Sequence, residues 1–195
     1  VLEERVVSIQ QLLENLHHLN DLHIEYSLLR SCFSLPKFGY SLRTVDTSQH
    51  QEVMQTFDTA VRSALEAILG APLSPPQWDQ ASLPISMGGL GLRRAVVHGP
   101  GSYLASVGST AELVEEIRCE EEPTEHKVDK SLEALNCQLG DPLTKEGVIA
   151  MTQRQISSLV DTEAASRLKQ ATLEVRDQAR LNCLAREGAG DWLTA

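Results

Sequence analysis

Three histidines close in sequence, His17, His18 and His23, with Glu25 beside them, have the types and spacing that invite metal chemistry. Imidazole and carboxylate together can hold a divalent ion and activate its water, which would make the chain a small metal-dependent hydrolase working through His17 and His23. Adjacent positions on a helix diverge by about 100°, so only one of His17 and His18 can share a site with His23. No cysteine supplies a strong further ligand, and no metal site is expected. His50, His98 and His126 stand alone and read as cap, packing and surface residues respectively.

Nucleophilic chemistry is no better served. There is no Gly-x-Ser-x-Gly, no Cys/His context and no glycine-rich turn from strand to helix that could cradle a phosphate. Gly88-Gly89-Leu90-Gly91 lacks the preceding strand and the third glycine of a dinucleotide fingerprint, so it reads as a tight turn whose backbone needs positive φ or close packing. Carboxylates are plentiful, but a polymerase centre needs aspartates converging on metal ions from strands, and no such pair stands here. No catalytic residue and no cofactor are expected.

A small basic cluster remains: Arg30, Lys37 and Arg43, with Arg93 and Arg94 after the glycine turn. Phe38 and Tyr40 stand beside Lys37, and cations interleaved with aromatics suit backbone phosphates and stacked bases. Phe38 and Tyr40 are nonetheless expected to serve the core.

The elements that must position these residues are helices. Of 195 residues 42% are hydrophobic but only 4% aromatic, so the core must be built of Leu, Val, Ile and Ala, which helical packing favours. Net charge is -10, the wrong sign for a freestanding nucleic-acid binder, so any such contact must be local. The four cysteines, Cys32, Cys119, Cys137 and Cys183, are far apart, and neither a secretory leader nor a membrane-spanning run is present; an intracellular location, cytoplasm or nucleus, is expected. The chain opens at Val1 inside a helical pattern without an initiator methionine, so its ends are not read as natural termini.

Val6, Ile9, Leu12, Leu13, Leu16 and Leu19 recur at helical steps, Asn20-Asp21 marks a stop and a new start, and Pro36 falls where a break or a new first turn is expected. Ser48 is the expected N-cap of the clearest helix, a stripe from Val53 to Ile68 that ends at Gly70. Ser74-Pro75-Pro76 starts a short helix around Trp78, which is expected to be at least half buried near the glycine turn. Residues 93–107 are weakly helical, with Gly99, Pro100 and Gly101 expected to force a break. Negative charge dominates from Glu112 to Glu125, with Glu120-Glu121-Glu122 and then Pro123, and reads as a solvated linker. Helical patterning returns through Leu135, Ile156, Leu168 and Leu184 and closes at Gly188 and Gly190. The expectation is an all-α protein: a helical bundle over 1–108, an acidic linker over 109–125 and a C-terminal helical segment over 126–195.

Taken together, EYSLLRSCFSLPKFGYSLRT (25–44) and WDQASLPISMGGLGLRR (78–94) resemble the segment that follows the polymerase palm in reverse-transcriptase-like proteins of eukaryotic retrotransposons. The second piece is similar to the Trp-x-Leu-Pro-x-Gly-Gly-Leu-Gly pattern downstream of the catalytic core in non-LTR (LINE-like) elements and their relatives, and AREGAGDWLTA (185–195) resembles a segment found further downstream. The resemblance implies a thumb-like bundle, packed beside the palm of a parent polypeptide, that holds a template-primer duplex (RNA–DNA or DNA) by its backbone. Arg30, Lys37 and Arg43, with Arg93 and Arg94, are the expected contacts. The metal-binding aspartates of such proteins lie upstream of this region, so the parent would be an RNA-directed DNA polymerase whose catalytic residues are not in this chain. The alternative is an acidic helical protein-interaction module without nucleic-acid binding, favoured by the charge.

Overall fold

The computed structural model describes residues 2–118 and 128–193, and among them there is no strand: the protein is an all-α helical bundle. The helices are α1 (Leu2–Glu14), α2 (Leu22–Leu28), α3 (Leu35–Thr44), α4 (Gln51–Leu69), α5 (Pro75–Ser82), α6 (Ala95–Arg118), α7 (Asp129–Asn136), α8 (Lys145–Ile149), α9 (Gln153–Ala171) and α10 (Val175–Leu184). His126 and the Glu120–Glu122 run fall outside the described residues.

Local chemistry sets most of the boundaries. Asn20 closes the first unit in the left-handed region at φ 54°, and the Asp21 carboxylate then accepts the His23 and Ile24 N–H groups, each at 3.0 Å, to start α2. Pro36 sits in the first turn of α3, where its missing N–H costs nothing. Gly70 ends α4 at φ 67°. Ser48 does not cap α4: the Asp46 carboxylate binds Ser48 and holds a short 3-10 turn over Thr47–Gln49, so α4 starts only after His50. The side chain of Gln77 folds back to accept the Ser74 N–H at 2.8 Å and fixes the start of α5.

The expected break at Gly99-Pro100-Gly101 does not occur. α6 runs through all three residues and on to Arg118, so the stretch expected as a linker from 109 begins as helix. Pro100 forfeits one bond to the turn before it, a cost of about 3 kcal/mol in an exposed helix. Here residues 98–102 are all buried, and α6 packs against α3, α4, α7, α8 and α9. The glycines serve that packing rather than a turn. A Cβ on Gly99 would lie 2.6 Å from Thr47 Oγ1, one on Gly101 2.7 Å from Ile156 Cγ2, and one on Gly108 2.2 Å from the Ile149 carbonyl oxygen. Small residues on three sides let the neighbouring elements close onto a single central helix.

Two large apolar clusters form around α6. The first joins α1, α3, α4 and α5, with Phe38 stacked on Phe57 at 4.8 Å between ring centroids. The second joins Leu104 and Ala105 of α6 to Val128, Leu135, Val148, Ile156 and Val160. A small third cluster, centred on Leu83, Leu168 and Leu181, attaches α10.

Candidate nucleic-acid interface

The two motif segments fold into one unit. Between α5 and α6 the chain turns back on itself: Gly88 and Gly91 take φ 84° and 72°, the Leu90 and Leu92 N–H groups both donate to the Ala81 carbonyl, and the Gly91 N–H donates to Leu83 at 2.8 Å. Gly89 is pressed so closely on Leu83 that an added Cβ would lie 2.0 Å from its carbonyl oxygen. The Tyr26 hydroxyl of α2 donates to the Leu90 carbonyl at 2.7 Å and joins the first segment to the second. Burial raises the Tyr26 pKa, so this donor keeps its proton. Trp78, 7% exposed, lies in the first core cluster one turn before Ala81, as its spacing predicts. The third segment docks on the same knot, where Gly190 approaches Ile85, and Ala185, with Leu184 just before it, approaches Gly88.

The five basic residues separate into two groups. Arg93 pairs with Asp161 of α9, which is 3% exposed and also lies 3.3 Å from His98 Nε2; Arg94 pairs with Asp79 of α5 at 3.1 Å. Both guanidinium groups therefore tie the glycine turn to helices of the same chain. Arg30 is partly buried: its guanidinium sits over the Tyr26 ring, 5.8 Å from the centroid, and its stem fills the space beside Gly91. Lys37 and Arg43 are exposed on α3, Arg43 donating through Nε to Gln153 at 2.9 Å.

Tyr40 departs from expectation. Phe38 is fully buried, but Tyr40 is 70% exposed, because α3 turns Phe38, Ser41 and Leu42 inward. Steps of three residues keep Lys37, Tyr40 and Arg43 on one outward side of α3. That side offers two cations with an aromatic ring between them.

Two buried acids were missed. Asp58 of α4 accepts the Ala95 and Val96 N–H groups at 2.6 and 3.1 Å, capping α6 from a distance in sequence. Burial pushes its carboxyl up to about 6, against the pull of those two N–H groups and Arg94. Asp58 stands on the apolar stripe between Met54 and Val61, and Asp161 next to Val160 on that of α9; an acid on a buried stripe was the available signal. Among the described residues, no group of three or more His, Cys, Asp or Glu side chains that could hold a metal ion comes together, His17, His18 and His23 included. Nor, among those residues, is any helix long and apolar enough to cross a membrane.

No protein-family profile matches the chain, and no solved structure matches it. Over 61 residues it is 36% identical to the Retrotransposable element SLACS 132 kDa protein of Trypanosoma brucei gambiense, a match that covers 31% of this chain and 5% of that protein. The chain thus has a distant relation to a retrotransposon protein and corresponds to a small fraction of its length.

Proposed function

We propose that the chain is a non-catalytic, thumb-like accessory region of a retrotransposon-type RNA-directed DNA polymerase, holding the template-primer backbone beside the palm of its parent polypeptide. The observation that carries this reading is the outward side of α3, where Lys37, Tyr40 and Arg43 are all exposed. Lysine and arginine suit contact with backbone phosphates, and the ring offers a stacking surface for a base. The knot of Tyr26, Leu90 and the glycine turn supports the reading by bracing α2, while packing on α6 holds α3, so that the two form a platform. Arg93 and Arg94 act within that platform instead of on the duplex, and Arg30 stiffens it.

Fluorescence anisotropy with a labelled RNA–DNA duplex tests this. Binding should weaken steeply from low to moderate salt, and Lys37→Ala with Arg43→Ala should lower affinity about tenfold or more and flatten the salt slope by about 2. Arg93→Ala should leave the slope unchanged. A second reading, an acidic helical protein-interaction module without nucleic-acid binding, is favoured by the engagement of Arg93 and Arg94 with Asp161 and Asp79. Absence of binding even at low salt assigns it.

A further inference from the structure

Away from α3, a groove of about 810 Å3 runs between α1 and α4. Its floor is apolar, from Leu13, Leu16, Ala64 and Ile68, and the α4 wall is lined by short side chains, among them Thr56, Ala60, Ser63 and Ala67. A wall this low lets another helix approach to the roughly 8–10 Å axial separation of packed helices, where its own large side chains fill the floor. An extended peptide is disfavoured, because among the described residues no strand offers an edge for it to pair with. The charge of the groove is one-sided. Glu14 and Glu52 stand exposed at its rim, His17 is the lining side chain that can become a cation, and neither lysine nor arginine is among the lining residues.

From this charge complementarity we infer that the α1–α4 groove docks a cationic amphipathic helix of a partner protein, with large apolar residues at helical steps and lysine or arginine flanking them. The net charge of -10 draws such a helix in, and burial of the helix's own apolar face against the groove holds it. The surface is separate from the outward side of α3, so it stands whether or not α3 grips a duplex.

The test uses a fluorescein-labelled synthetic helical peptide with leucines at i, i+3, i+4 and i+7 and lysine flanks, beside the same peptide with glutamate flanks. The lysine peptide should bind at least about tenfold more tightly than the glutamate peptide. Its amide shift perturbations should fall on residues of the groove. Ser63→Tyr, a change at an exposed position that fills the groove, should weaken binding about tenfold with the melting curve unchanged, and Glu14→Lys with Glu52→Lys should reverse the charge preference. Equal binding of the two peptides, perturbations elsewhere, insensitivity to Ser63→Tyr, or no binding at the solubility limit overturns the inference. So does a concentration-dependent dimer in sedimentation that Ser63→Tyr abolishes, which gives the groove to a second copy of the chain.

Discussion

The first core cluster and the attachment of α10 are built from similar residues to very different effect. Around α4 the large side chains are inside: Phe38, Phe57, Leu65 and Leu42 are 0–1% exposed and Trp78 only 7%. Along α10 and its flanks the large side chains are outside, with Leu173 90%, Val175 80% and Trp192 68% exposed, and Leu181 is the buried residue of the helix. Both regions contain helices with leucine at helical steps. What separates them is the number of neighbours that close over the apolar side, and this should set how each responds to damage.

The largest effect is expected in the first region. Trp78→Ala removes a buried aromatic from the cluster that supports the glycine turn, and should cost about 3–5 kcal/mol in denaturant unfolding. A near-neutral midpoint would mean that the two regions are equally loose.

Next comes the joint between α4 and α6. Folded Asp58 holds its proton more tightly than the unfolded chain does, so the stability this gives is fully present below pH 3.8 and is lost as pH rises through about 6. At about 1.4 kcal/mol per pH unit, the margin of wild type over Asp58→Asn should shrink by about 3 kcal/mol between pH 3.5 and pH 7. Denaturation series at the two pH values read this directly; a constant margin would show that Asp58 is solvated and that the joint is open. Asp46 behaves oppositely. Burial raises its carboxyl, but hydrogen bonds from Ser131, Ser48 and Gln49 outweigh that and hold it below the usual range, so its contribution is present at neutral pH and lost in acid. Substitution at Asp58 isolates the first effect from the second.

What could be read from the sequence follows the same division. Elements fixed by local chemistry were legible: the Asn20-Asp21 stop and start, Pro36 in a first turn, Gly70 as a left-handed cap, Ser74-Pro75-Pro76 and the turn at Gly88. Elements fixed by tertiary contact were not. Gly99, Pro100 and Gly101 break an isolated helix, yet here burial overrides propensity, because the glycines are where Thr47 and Ile156 come close. The basic cluster was legible as residues but not as a surface: nothing local says that Arg93 and Arg94 find Asp161 and Asp79, or that Tyr40 faces outward while Phe38 does not. Ser48 failed as a cap because Asp46, two residues earlier, takes its N–H and also reaches Ser131 of α7.

The smallest effect on global stability, and the sharpest test of the comparison, lies at α10. Leu181 packs with Leu83 and Leu168 and is the buried anchor of that helix, while Leu173 and Val175 at its start touch little. Leu181→Ala should therefore release α10 by local opening and leave the main unfolding transition nearly in place, within about 1 kcal/mol. Native-state hydrogen exchange distinguishes the two levels. Amides of α10 should lose their protection in the variant, whereas those of α4 should exchange as in the wild type. Because Leu184 and Gly190 dock on the glycine turn, amides at Gly88 to Leu90 should also respond, though less than α10 itself. If α4 and α10 lose protection together, the two regions are one cooperative unit, and the thinness of the contacts around Leu181 does not translate into independence.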